Sequence, residues 1–446
     1  MFKRYISYYT ATAVVVSNMI GTGVFTSLGF QVMGIHSGFA LMVLWLIGGI
    51  ASLLGALCYG ELGAALPRSG GEYNYLSKIY HPAVGFLSGW VSATVGFAAP
   101  VAAASMAFAE YFKKGTDMHP ILLAGRDFSS ALLATSIILL VSGVHFLKVH
   151  IGSRFQNIFT SVSIVTILFI IVNGLFAGHT GDANFSPSPS AFHDILSSSF
   201  AISFFFVSFA YSGWNAAAYI AGEMNNVQEN LPKALLRGTL FVTLLYILLN
   251  FVFLYTTPIA GMAGKKEVGF IAATWIFGTL GGKIMAVIIA VKLISTISSM
   301  TLAGPRIISV MGEDLSVFKM LSVKNRHNVP AIAILTQSCI ALLFVFTASF
   351  DQVITFIGFT LNLFTFLTVL GLMILRIREP DLPRPFKTPG YPFTPLVFLG
   401  ISLWLIYFGI SDKPKESLAA IAIVLTGLII YYFGKPKQSL GNTKQP

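Results

Sequence analysis

The residues Asn18-Met19-Ile20-Gly21-Thr22-Gly23-Val24-Phe25 stand in the middle of the first long apolar run of this 446-residue chain. A helix in lipid must satisfy its backbone groups from within, so two glycines two apart at mid-depth mark a point where it can break and leave amides free. A glycine pair equally suits close approach of a neighbouring helix, a common use of small residues in membrane bundles. A second interruption, Phe209-Ala210-Tyr211-Ser212-Gly213-Trp214-Asn215, lies in the middle of another apolar segment. Paired breaks in two halves of a chain are the pattern of a transporter whose substrate sits between unwound segments.

Composition sets the class. The chain is 55% hydrophobic and 10% charged, against about a quarter charged in a soluble globule. Reading runs of roughly 20 apolar residues as spans predicts twelve, near 8–33, 38–66, 84–112, 129–146, 153–177, 196–221, 235–257, 280–303, 330–349, 353–375, 393–411 and 417–434. On that scheme nineteen Lys and Arg residues fall on the side of the termini and eight on the other, which predicts cytoplasmic termini in a multi-pass protein of the cell membrane. The net charge of +11 then faces anionic lipid and gives no reason to invoke nucleic acid. The first span is too long for a signal peptide and has no small-residue cleavage site. Cys58 and Cys339 both lie inside spans, so buried free thiols are expected.

Along the chain, Arg68-Ser69-Gly70-Gly71-Glu72-Tyr73 reads as a structural turn after the second span, without the Lys-Ser/Thr of a phosphate loop. The third span is rich in Gly, Ala and Ser, and the fifth carries Gln156, Asn157, Thr160, Ser161 and Ser163. Residues 257–279, polar at Lys265-Lys266-Glu267, are too short in apolar length to cross and read as a lid. The eighth span carries Lys292, Ser295, Thr296, Ser298, Ser299 and Thr301. Spans eleven and twelve carry no comparable polar signal and read as peripheral. The eight histidines show no metal-ligand spacing and no nucleotide-binding motif is present, which argues against an enzyme or a primary pump.

Asn18 to Phe25, Glu61-Leu62-Gly63, Pro67 to Tyr73, Phe209 to Asn215, Pro305-Arg306 and the basic proline-rich loop Arg376 to Pro389 occur in an order that resembles the amino acid, polyamine and organocation (APC) superfamily, in its L-type amino acid transporter branch. The resemblance implies an all-α membrane protein of 12 transmembrane helices with a 5+5 inverted repeat, the leucine-transporter-like fold, discontinuous in helices 1 and 6. Residues 1–177 would form the first repeat, 196–375 the second, and 376–446 the last two helices and tail. It implies a substrate α-carboxylate on the amides of Gly21, Thr22 and Gly23, an α-ammonium on carbonyls of Ile20 and of Phe209, Ala210, Tyr211 and Ser212, Phe209 as the gate, and Asn215 in contact with the substrate. A zwitterion needs donors at one end and acceptors at the other, and two broken helices supply both.

The chain departs from that pattern in two places. Members that couple to protons carry a lysine in the fifth helix where this chain has Ser163, and members that pair with a heavy chain carry a cysteine in the loop that here runs from Tyr111 to Phe128 without one. No disulfide-linked heavy chain is therefore expected. Lys292 lies on one helical face with Ser295 and Ser299. Its amine either reaches between helices 1, 5 and 8 as a proton carrier or fixed cation, or snorkels to the interface. Alternatively Ser298 and Ser299, with carbonyls near Gly21, hold Na+. The coupling ion, Na+ or H+, stays open, and no other cofactor is implied. The expected function is secondary active transport of amino acids, neutral because spans 1, 3, 6 and 8 offer no acid at mid-depth. The alternatives are a polyamine or cationic amino acid transporter, and a channel or nutrient sensor on the same fold.

Overall fold

A computed structural model describes residues 6–123, 126–147, 152–314, 316–326 and 329–434. The described chain is helical apart from a two-residue hairpin, Leu122–Leu123 against Arg126–Asp127. In order the helices are α1 (Tyr8–Met19), α2 (Gly23–Gln31), α3 (Gly38–Ala65), α4 (Glu72–Ile79), α5 (Pro82–Val91), α6 (Ala98–Thr116), α7 (Ser129–Leu147), α8 (Gly152–Phe176), α9 (Pro189–Ile195), α10 (Ser198–Tyr211), α11 (Val227–Thr256), α12 (Ile259–Met262), α13 (Val268–Asp314), α14 (Ala331–Thr347), α15 (Phe350–Arg378), α16 (Phe393–Asp412) and α17 (Pro414–Phe433). A 3₁₀ segment, Ala216–Glu223, follows α10.

Among the described residues, nine helical segments are long and apolar enough to cross a membrane. A bent pair, Pro189–Ile195 with Ser198–Glu223, and two shorter apolar helices, Thr160–Phe176 and Ala331–Thr347, add to them. Large apolar side chains such as Leu139, Leu140, Val165, Phe169 and Phe176 are exposed on these helices, as a lipid-facing surface requires. This is a multi-pass membrane protein.

Both interruptions read from sequence are present. α1 stops at Met19 and α2 resumes at Gly23, with Ile20 closing the first helix through its N–H to Val16 O (3.0 Å). α10 stops at Tyr211, Ser212 turns extended, and Gly213 takes a left-handed φ of 97° that a side chain resists. α13 is two helices joined at a kink. Gly278 (φ 76°, ψ 177°) divides a short outer piece from the long one, so the expected lid of residues 257–279 comprises α12 and Val268–Phe277. Between α5 and α6 the chain widens into a π-turn, Ser92–Gly96. Pro100 has no N–H to return to the preceding turn, which accounts for the irregularity.

At the face carrying Ser7, Glu61 of α3 is fully buried and clamps the α15–α16 connection. Arg376 Nε and Nη2 donate to its two oxygens (2.8 and 2.6 Å), and the Thr388 N–H donates to one of them (2.6 Å). The side chains of Gln156 and Asn157 and the tail beyond residue 434 lie outside the described residues.

Candidate functional site

The two breaks meet back to back. A Cβ on Gly23 would fall 2.4 Å from Ala210 Cα, and one on Gly213 would fall 2.8 Å from the Asn18 carbonyl carbon. Only residues without a side chain permit this approach. Around them lies a cavity of about 750 Å³ lined by Gly21, Thr22 and Gly23 of the first break and by Phe209, Ala210, Ser212, Gly213 and Asn215 of the second. A volume of this order suits a small organic solute.

The cavity extends towards the Ser7 face, where Arg68, Tyr73, Glu223, Arg306 and Met311 line it. The opposite end is shut. The Tyr111 hydroxyl donates to Phe25 O (2.7 Å) and accepts from the Gly269 N–H (2.9 Å), and the Gly264 N–H donates to Gly29 O (2.8 Å), so the lid sits directly on α2. Ser27 Oγ donates to Phe206 O (3.2 Å) and the Phe30 ring stacks on Phe206, which zips α2 to α10. Tyr111→Phe is expected to leave the buried Gly269 N–H unpaired, destabilising the lid by about 1–3 kcal/mol. A melt of the purified variant in detergent checks this, and an unchanged midpoint would show that the hydroxyl does not fasten the lid.

Most of the sequence-derived residues gather here, with distinct roles. The amides of Thr22 and Gly23, at the positive end of the resumed helix, meet no acceptor among the described residues and face the cavity. Met19 O and Ile20 O are taken: the Tyr246 hydroxyl donates to the first (2.6 Å) and the Lys292 ammonium to the second. Ser212 folds its hydroxyl back to Phe209 O (2.7 Å), whereas the Tyr211 hydroxyl donates to Trp45 O (3.2 Å), away from the cavity.

Lys292 is 7% exposed and does not snorkel. Its second partner is Thr296 Oγ1 (3.2 Å), and it borders a void of about 10 Å³ with Ser17, Ile20, Thr160, Ser163, Ser295 and Ser299, large enough for about one water. Ser298 stands elsewhere, its Oγ 2.9 Å from His145 Nε2 of α7.

Sequence reasoning missed three contributors. Glu72, read as part of a turn, is 4% exposed and lines the cavity, although it belongs to none of the spans in which acids were sought. Tyr59 holds it from α3 through a 2.7 Å hydrogen bond. Phe398, Ile401, Ser402 and Leu405 of α16 wall one side of the cavity, so the eleventh span is not merely peripheral. A charge beside glycines that follow a span was the one available signal, and only for Glu72.

A bundle with two opposed helix breaks around one cavity, shut at one end and open at the other, with free amides on one side and carbonyl-bearing turns on the other, defines a membrane protein built to hold a small polar solute. The chain belongs to the amino acid permease family, which it matches over residues 6–433. It is similar to the b(0,+)-type amino acid transporter 1 of Mus musculus (30% identity, 96% of this chain and 88% of the relative). It is also similar to the large neutral amino acids transporter small subunit 2 of Mus musculus (29%, 98% and 82%) and to the serine/threonine exchanger SteT of Bacillus subtilis (29%, 98% of each).

Proposed function

We propose that this protein is a secondary transporter of neutral amino acids, working by alternating access as an exchanger or symporter. The observation that carries the reading is the contact of the two breaks around one cavity, at Gly23 against Ala210 and Gly213 against Asn18. The α-carboxylate docks on the amides of Gly21, Thr22 and Gly23, the α-ammonium on carbonyls of the second break from Phe209 to Ser212, with Asn215 beside them and Phe209 as the gate. Two acids, Glu72 and Glu223, and two arginines, Arg68 and Arg306, border the cavity. That balance favours a neutral side chain over a cationic one.

The finer architecture belongs to the same proposal. Residues 1–177 and 196–375 form inverted repeats of five spans each, and the broken pair with the two short apolar helices brings the spans to twelve. The termini face the cytoplasm, placing the open mouth of the cavity on that side of the cell membrane. The loop from Tyr111 to Phe128 holds no cysteine, so the chain works without a disulfide-linked partner, which a single purified chain active in liposomes would bear out.

Coupling runs through Lys292. Its ammonium occupies the Ile20 carbonyl where a metal cation would otherwise be needed, so uptake is expected to be indifferent to Na+ replacement. Lys292→Gln is expected to cut exchange about tenfold or more, since an intramembrane charge is costly to keep and is retained for function. Proteoliposomes offered a panel of neutral, cationic and acidic amino acids under imposed Na+ and pH gradients test all of this. Saturable uptake stimulated by internal neutral amino acid is the expected result; uptake of cationic substrates alone, or linear flux without trans-stimulation, overturns the reading.

A further inference from the structure

Glu72 is an unusual group to find beside a solute cavity. It opens α4, outside the membrane-spanning helices, yet is almost fully buried, and among the described residues no cation lies within ion-pair distance of it. Its Oε1 accepts from the Tyr59 hydroxyl (2.7 Å) and from Asn215 Nδ2 (3.0 Å). Aromatic side chains enclose it: the Tyr59 ring meets Tyr75 and Trp214 edge-on (6.0 and 4.7 Å), and Gly71, at a left-handed φ of 52°, lets the loop press on the Tyr219 ring. Burial pushes the Glu72 carboxyl up to about 7.

The chemistry of the pair is directional. An ionised carboxylate can only accept, whereas an amide has a donating end and an accepting end of nearly the same shape. Asn215 borders the cavity and belongs to the second break. Facing a carboxylate, its amide has one productive orientation, with nitrogen towards Glu72.

We propose that Glu72 is a positioning residue for the cavity: by fixing the Asn215 amide nitrogen on its carboxylate, it presents Asn215 Oδ1 as the acceptor for a donor group of the bound amino acid. This rests on the amino acid reading of the cavity. It gives the Arg68 to Tyr73 loop a role at the site, and it joins α4 to the second break through one side chain, so that repositioning α4 alters the site. With Glu72 protonated, the carboxyl becomes a donor as well, the amide can turn over, and the acceptor is no longer held.

The proposal predicts a pH dependence of binding. The titratable groups around Glu72 are Tyr59 of α3, Tyr75 of its own helix and Tyr219 of the second break. Further along α4, Arg378 of α15 donates to Ile79 O, and His81 caps α5. Of these groups the carboxyl is the one that accepts from the Asn215 amide, so its protonation is what acts on that amide. Affinity of the native protein should improve as pH rises through about 7, and Glu72→Gln should flatten that change.

The test uses the full-length protein in proteoliposomes, with labelled neutral amino acid as the probe, comparing Glu72→Gln, Glu72→Asp, Asn215→Ala and the double variant E72Q/N215A. Glu72→Gln is expected to raise KM about two- to tenfold, the worth of one hydrogen bond, with maximal rate little changed. Glu72→Asp, which keeps an acceptor-only group, should recover part of the loss. The double variant should be no worse than Asn215→Ala alone, because the carboxylate acts through that amide. A melt separates folding from function: a raised native pKa means that stability from this group is full below the unfolded value of about 4.3 and lost as pH rises through about 7, so Glu72→Gln should melt no lower than the native protein at pH 8.

Effects of Glu72→Gln and Asn215→Ala that multiply, or a KM untouched by Glu72→Gln while Asn215→Ala raises it, overturn the inference and leave the cavity reading standing. A KM unchanged in Asn215→Ala overturns both.

Discussion

Gly23→Ala lowers uptake tenfold or more, while Gly21→Ala, two residues away, stays within about a factor of three of the native rate. The difference follows from what a single added carbon meets. On Gly23 it falls 2.4 Å from Ala210 Cα, 2.7 Å from its Cβ and 3.0 Å from its nitrogen, so rigid backbone stands in the way. On Gly21 the nearest atoms are Met19 O at 3.7 Å and the Thr296 methyl at 4.0 Å, ordinary contact distances. Overpacking against backbone costs about 1–3 kcal/mol, and each 1.4 kcal/mol is about tenfold. Since α2 cannot bend where it is pressed by the lid at Gly29 and zipped to α10 at Ser27, the strain is relieved by separating the breaks. Initial rates in proteoliposomes, normalised to folded protein, measure the contrast. Equal losses at both glycines would show that closeness of the breaks is not what transport needs.

Glu61→Ala destabilises the protein by about 3–5 kcal/mol, the cost of removing one partner from a buried ion pair. The carboxylate is wholly buried; Arg376 engages both its oxygens, the Thr388 N–H donates to Oε2, and Arg384 Nε lies 3.5 Å from Oε1. Without it the guanidinium groups of Arg376 and Arg384 lose the carboxylate they share. Arg376 is held in place regardless by the Tyr391 ring, 3.8 Å from its guanidinium carbon, and Arg384 by carbonyls including Glu379 O and Leu382 O. The two charges therefore stay close together once their shared counter-ion is gone. Thermal melts of purified Glu61→Ala and Glu61→Gln read the effect. Glu61→Gln should fall between native and Glu61→Ala, since it still accepts but no longer carries charge. A midpoint within a degree or two of native for Glu61→Ala would mean the clamp is dispensable.

The hydropathy of the chain located most of the apolar helices to within a few residues, although the expected spans 235–257 and 280–303 lie inside the longer helices Val227–Thr256 and Val268–Asp314; a span is a local property, since a helix in lipid needs about 20 apolar residues in a row and little else. Both breaks were legible for a related reason, since glycine and polar side chains inside an apolar run have few other uses. The lid was legible from Lys265-Lys266-Glu267, charges that lipid does not tolerate. Glu72 was not, because its burial comes from Tyr59, Tyr75 and Tyr219, residues that no sequence window contains together. The wall contributed by α16 escaped notice on the same ground: Phe398 and Leu405 look like any lipid-facing residues until a neighbouring cavity is known.

By itself the sequence determined that this is a many-span helical membrane protein of the amino acid permease type, with its polar business at residues 18–25 and 209–215. Only the tertiary structure decided which glycine is pressed against backbone, that the Lys292 amine turns inward to the Ile20 carbonyl, that Ser298 faces His145, and that Glu72 accepts from the Asn215 amide. Periodicity and composition act over one turn or one span, whereas these relations join residues up to some hundreds of positions apart, and their distances are set by how the helices pack.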